Sequence, residues 1–216
     1  MNKNQDYVYI VLVKALTGLG KFSRKINKYE YTHISVSLEE KLQDFITFSR
    51  RYHYAPFEAG FMREKVEHYA FGKHKKVQIK VFKVPAVNMG KLKSYIHLIE
   101  KDEEYIFNLY SMITMPFLHG FRIYKAHNCM SFVGKILELT GRVKMDKKYY
   151  KYNIEEMDRL LSPYFYMETE IEKTRNDEAY MKKVGAFANL KSFVKLNGKL
   201  IYRMLCKRNQ RYEEFT

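Results

Sequence analysis

A thiol and an imidazole that meet in one site can carry acyl transfer, with the thiolate attacking a carbonyl and the imidazole moving the proton. The chain holds two cysteines, Cys129 and Cys206, and seven histidines. Cys129 lies one residue inside the start of the clearest helix in the sequence, Asn128 to Gly141. Asn128 is suited to cap that start and Gly141 to end it. Phe132, Val133, Ile136, Leu137 and Thr140 mark one face. The first N–H groups of a helix lack acceptors and its dipole is positive there. The position therefore favours a thiolate and puts the Cys129 N–H where an oxyanion would develop. By position alone, a small buried core cysteine fits as well.

His33 lies in Tyr31–Leu38, where Ile34, Val36 and Leu38 alternate with His33, Ser35 and Ser37. Period two makes this a half-buried strand with a polar row that carries the imidazole on a rigid platform. His127, two residues before Cys129, is a rival partner, but at that offset it should sit outside the helix and point away from the thiol.

Other elements must hold these two in place. Tyr7–Val13 reads as a buried strand, ended by Thr17-Gly18-Leu19-Gly20, and Lys21–Ile26 as a short helix. Glu39–Gln43 is a turn or short helix and Phe45–Ser49 a third strand. Arg50–Glu67, with Pro56 and Gly60, reads as an irregular connection. Val77–Val84 alternates and stops at Pro85. Val87–Leu109 has Leu92, Tyr95, Ile96 and Ile99 at helical spacing, for one or two helices. Pro116 and Gly120 mark a loop, and Ile154–Asp158 begins another short helix.

The strand Tyr7–Val13, then Thr32-His33-Ile34 on a strand, then Asn128-Cys129-Met130-Ser131-Phe132-Val133 on a helix, resembles the permuted branch of the NlpC-like papain superfamily. That branch includes the YiiX-like and YycO-like bacterial proteins and, more distantly, lecithin–retinol acyltransferase. The resemblance spans roughly Tyr7 to Leu161. It implies an α+β fold: a circularly permuted papain-like domain over residues 1–168, with a small antiparallel sheet or open barrel packed on the cysteine helix. It also implies Cys129 as nucleophile and His33 as base, with a third residue orienting the imidazole from the strand after the histidine strand. Thr47, on the face shared with Phe45 and Ser49, stands at that place, where the family often has an acid. Glu58 and Glu64, in the following connection, are the carboxylates that could replace it. Family members act on peptide amides or on lipid acyl groups, so the implied substrate is a small peptide, amide or lipid, with no cofactor and no metal.

The 216 residues suit one domain with an appendage, and 46% hydrophobic and 16% aromatic residues exclude general disorder. The two cysteines are too far apart for metal-ligand spacing and form no disulfide framework, which suits a reducing compartment. The polar start, a first apolar run too short for a signal peptide, and the lack of a long apolar stretch lead to the expectation of a cytoplasmic protein. A net charge of +15 favours anionic partners, although lysine-rich composition produces such charge without one. Beyond Glu172, eleven basic residues face four acidic ones. Residues 169–216 read as a basic helical extension that either packs on the domain through Phe187, Leu190, Phe193 and Val194 or contacts an anionic surface. The competing function is a non-catalytic basic module that uses this fold on membrane or nucleic acid. The lack of a carboxylate at Thr47 favours it.

Overall fold

In the computed structural model, which describes residues 6–16 and 29–207, the apolar run Tyr7–Val13 forms strand β1. The expected break Thr17–Gly20 and helix Lys21–Ile26 lie outside the described residues. So do Arg208, Arg211, Glu213 and Glu214 of the basic tail. The other strands of the main sheet are β2 (His33–Ser37), β3 (Phe45–Tyr52), β4 (Ala55–Glu64), β5 (Lys76–Pro85) and β8 (Phe165–Glu172). They form one open antiparallel sheet in the order β4-β3-β2-β1-β5-β8. The short pair β6 (Ile106–Phe107) and β7 (Ala126–His127) runs parallel beside it. The molecule is α+β.

Helices α1 (Val66–Tyr69), α2 (Met89–Lys101), α3 (Leu109–Leu118), α4 (Cys129–Thr140), α5 (Ile154–Leu161) and α6 (Ala186–Cys206) complete the described residues, with short 3₁₀ turns at Tyr149–Lys151 and Ser162–Tyr164. One face of the sheet (Ile10, Leu12, Ile34, Val36, Phe48, Phe82) packs on the inner faces of α2 and α4. The other face buries Val11, Val13, Phe45, Ile79 and Val81 against Tyr69 and Ala70 at the end of α1. Burying a large apolar side chain contributes roughly 1.5–3 kcal/mol, so covering both faces makes the central strands the rigid part of the fold.

This double cover changes the reading of β2. Its polar row is largely covered, with His33 at the start of the strand partly exposed. Ser35 and Ser37 are fully buried, and Ser35 accepts a hydrogen bond from Tyr69. Period two correctly assigned the faces, but only the chain folded over the second face could show that it is covered.

The segment read as an irregular connection is instead a hairpin. β3 runs on to Tyr52 and pairs with β4 as far as Phe45 opposite Glu64. Pro56 sits next to the tight turn, where the register shifts between Arg50 and Tyr52, and a proline is tolerated at such a place. Pro116 likewise lies inside α3 rather than in a loop, and the helix ends two residues later, at Leu118, capped by His119 in the left-handed region.

The expected boundary at 168/169 falls within β8. The alternation of Glu168, Glu170 and Glu172 with Thr169 and Ile171 makes an edge strand paired with β5, so the extension is helical only from Ala186. α6 docks through the buried Leu196, Leu200 and Arg203. The Arg203 guanidinium donates to the carbonyls of Glu104 (2.7 Å), Lys125 (2.9 Å) and Tyr124 (3.1 Å), which ties the helix to the segments before β6 and β7.

Candidate active site

α4 starts where the sequence places it. The Asn128 side chain accepts from Ser131 N at 2.8 Å, and Ser131 Oγ accepts from Asn128 N at 3.0 Å, a reciprocal capping box. Gly141 closes the helix at φ 64°. Gly134 has a packing role: a Cβ there would come within 2.3 Å of the Tyr149 carbonyl, so the absence of a side chain lets the following turn lie on α4. Cys129 is therefore the first helical residue, held by a tight cap, and its side chain is buried at the edge of the core. The helix itself offers no acceptor to the N–H groups of Cys129 and Met130.

His33 begins β2 and pairs with Val13 of β1. Its Nε2 lies 2.9 Å from Oε2 of Glu64, the last residue of β4. Glu64 is only 4% exposed, and its other oxygen accepts from Ser49 Oγ at 2.5 Å. The Tyr69 ring stands edge-on to the imidazole, with centroids 5.7 Å apart. With Nε2 engaged by Glu64, Nδ1 is the nitrogen left to face the Cys129 thiol, whose proximity helps hold the imidazole protonated. The structure thus brings together Cys129, His33 and Glu64.

Charge balance in this cluster follows from its burial. Burial alone would push the His33 imidazole towards its neutral form. The Glu64 charge and the hydrogen bonds the imidazole donates to Cys129 and Glu64 outweigh that and hold its pKa well above the usual value. Burial would likewise raise Glu64, but the imidazolium beside it and hydrogen bonds from His33, Ser49 and Tyr69 hold its carboxyl well below the ordinary range. Each group therefore favours the charged form of the other.

Glu64, and not Thr47, is the side chain set against the imidazole. Thr47 is fully buried, and its hydroxyl donates to the Ile34 carbonyl at 2.9 Å, fastening β3 to β2. Register explains this: antiparallel pairing of Val36 with Ile46 carries His33 towards Ser49, past Thr47. Ser49 in turn reaches the site only through Glu64. Glu58 lies on β4 six residues before Glu64, a distance of roughly 20 Å along an extended strand, and so belongs to its other end. Glu64 was in view only as one of two carboxylates in a connection without assigned structure. The usable signal was the alternation Phe57-x-Ala59-x-Phe61, which marks a strand and puts Glu64 on the face opposite those aromatics.

His127 ends β7 and is almost fully buried. Its Nδ1 pairs with Ser131 Oγ (3.2 Å) and its Nε2 with Tyr95 Oη (3.4 Å), and its ring stacks on Tyr105. Burial, helped by the positive charges of Lys135 and Arg122, pushes its pKa down to about 3, so it stays neutral. Among the described residues no group of three or more histidine, cysteine, aspartate or glutamate side chains is arranged to hold a metal ion. In comparison with known proteins, no family model matches the chain, no curated protein matches it, and no solved structure matches it.

Proposed function

We propose that this protein is a cysteine hydrolase or acyl-transfer enzyme with a circularly permuted papain-like arrangement. The observation that carries the reading is the buried Glu64 carboxylate on Nε2 of His33, on an imidazole that Cys129 also reaches. A base for a thiol needs an imidazole held in one orientation and stabilised when protonated, and a buried anion does both. In the proposed reaction Sγ attacks the carbonyl carbon of an amide or ester as a thiolate, with its proton carried on the His33 imidazolium. The helix-start N–H groups, beginning with that of Cys129, receive the oxyanion. His33 then returns the proton to the leaving amine or alcohol. Water or a second acceptor, activated by the same imidazole, releases the acyl group from sulfur.

The main argument for a non-catalytic module was a missing carboxylate beside the histidine, and Glu64 removes it. The test uses iodoacetamide at neutral pH, with the two thiols of one chain as mutual controls. Cys129 is buried and Cys206 exposed, so accessibility alone makes Cys206 the faster. The proposal expects Cys129 to react first, and His33→Ala to slow it by about tenfold or more while Cys206 keeps its rate. Cys129 reacting more slowly than Cys206, with no response to His33→Ala, would rule out the pair as a working unit.

A further inference from the structure

Helix α6 buries Leu196, Leu200 and Arg203 and turns a second apolar row outward. Phe187 (82% exposed), Leu190, Val194, Ile201 and Leu205 (76% exposed) fall along one stripe at helical spacing. Lys191, Lys195 and Lys199, four residues apart and all exposed, flank that stripe, and no acidic residue occurs between Ala186 and Cys206. Helix α3, which carries no charged residue, borders the stripe on the other side. Tyr110 donates to Asn197 Oδ1 at 2.7 Å, and Tyr110, Ile113 and Phe117 share a face by their i, i+3, i+7 spacing. Phe117 is 81% exposed, and Ile113 and Leu118 are exposed beside it. Two helices of different origin thus contribute to one apolar surface edged with lysines.

We propose that this surface seats the protein on an anionic phospholipid bilayer, with the α6 stripe and the tip of α3 at the level of the acyl chains and the lysine row at the headgroups. The proposal is independent of the chemistry at Cys129. Charge complementarity selects the occupant. A second copy docked on the same face would bring two lysine rows together with no acid on α3 or α6 to pair with them, whereas acidic headgroups match a row of cations beside an apolar stripe. Among the described residues no helix is long and apolar enough to cross a membrane, so the surface rests on the bilayer.

The test is co-sedimentation of the full chain with phosphatidylcholine vesicles, with and without added phosphatidylserine. Binding is expected only with the anionic lipid. Each lysine near such a surface is worth roughly fivefold in affinity, so Lys191→Glu, Lys195→Glu and Lys199→Glu together should weaken binding by roughly a hundredfold or more. Salt should weaken it too, as the screening length falls from ~8 Å at physiological ionic strength to ~3 Å at 1 M. Phe187→Ser, Val194→Ser and Leu205→Ser together should abolish binding even at low salt. All six positions are exposed, and an unchanged circular-dichroism melt verifies that each variant is folded. Three results overturn the proposal: no preference for anionic vesicles; preference that survives the serine variant, which makes the attraction charge alone; or a dimer in sedimentation velocity that the serine variant dissociates while vesicles are ignored.

Discussion

His33 is largely and His127 almost fully buried near Cys129, and their surroundings drive them in opposite directions. Around His33 the partners are an anion and a thiol, and the anion is itself held by Ser49 and Tyr69. Around His127 they are a serine hydroxyl, a tyrosine hydroxyl and aromatic rings, with two cations nearby. Desolvation penalises the imidazolium at both places, so burial does not separate them. What separates them is one buried carboxylate. His127 braces the start of α4, whereas His33 can take and return a proton.

The most severe way to break this contrast is to remove the carboxylate. Glu64→Gln keeps the shape but loses the charge that supports the His33 imidazolium. Turnover of an acyl substrate should fall by up to roughly 10⁴-fold, the scale seen when a triad carboxylate becomes an amide. Stability should fall by about 1.5–3 kcal/mol, as for a hydrogen bond between charged groups. The pH dependence is a separate test. The depressed carboxyl of Glu64 contributes stability that is present above its ordinary unfolded value near ~4.3 and lost as pH falls through the folded one. The raised imidazole of His33 contributes stability that is complete below ~6.5 and lost as pH rises through its folded value. The pair therefore stabilises most between roughly pH 4.5 and 6.5, and urea melts should show a decline on the alkaline side that Glu64→Gln flattens.

A milder effect comes from the other histidine. His127→Gln loses the ring stack on Tyr105 and disturbs the bonds to Ser131 and Tyr95, which should cost about 1–3 kcal/mol in a denaturant melt. Cys129 alkylation should keep its rate. A slowdown matching that of His33→Ala would mean that His127 shares the proton transfer, and the contrast would fail. The smallest effect is expected for Thr47→Val, which removes one buried hydrogen bond between β3 and β2, worth about 1 kcal/mol. Turnover should be unchanged, because Thr47 does not face the imidazole. A loss of activity with no loss of stability would return it to the site.

Much of this was legible before folding because it depends on neighbours in the chain. The capping box at Asn128 and Ser131, the left-handed Gly141, the apolar run of β1 and the alternation in β2 are local patterns with local physical causes. Glu64 was obscured because Pro56 and Gly60 suggest broken structure. Local propensity does not reveal that a strand can begin beside a proline at a hairpin turn. Thr47 was drawn to the histidine by the face it occupies, since parity predicts a face but not the register that settles which residue lies opposite His33.

The sequence by itself determined where α4 begins and ends, which face of β2 is apolar, and which side chains are candidates for nucleophile and base. Tertiary structure alone decided which carboxylate meets His33, which histidine stays neutral, and which rows of α6 are buried and which exposed. The physical reason is reach: caps and periodicity act over four or five residues. The 31-residue separation between His33 and Glu64 is closed only by strand pairing, and the low-dielectric interior that sets the charge of both groups exists only once the sheet is covered on both faces.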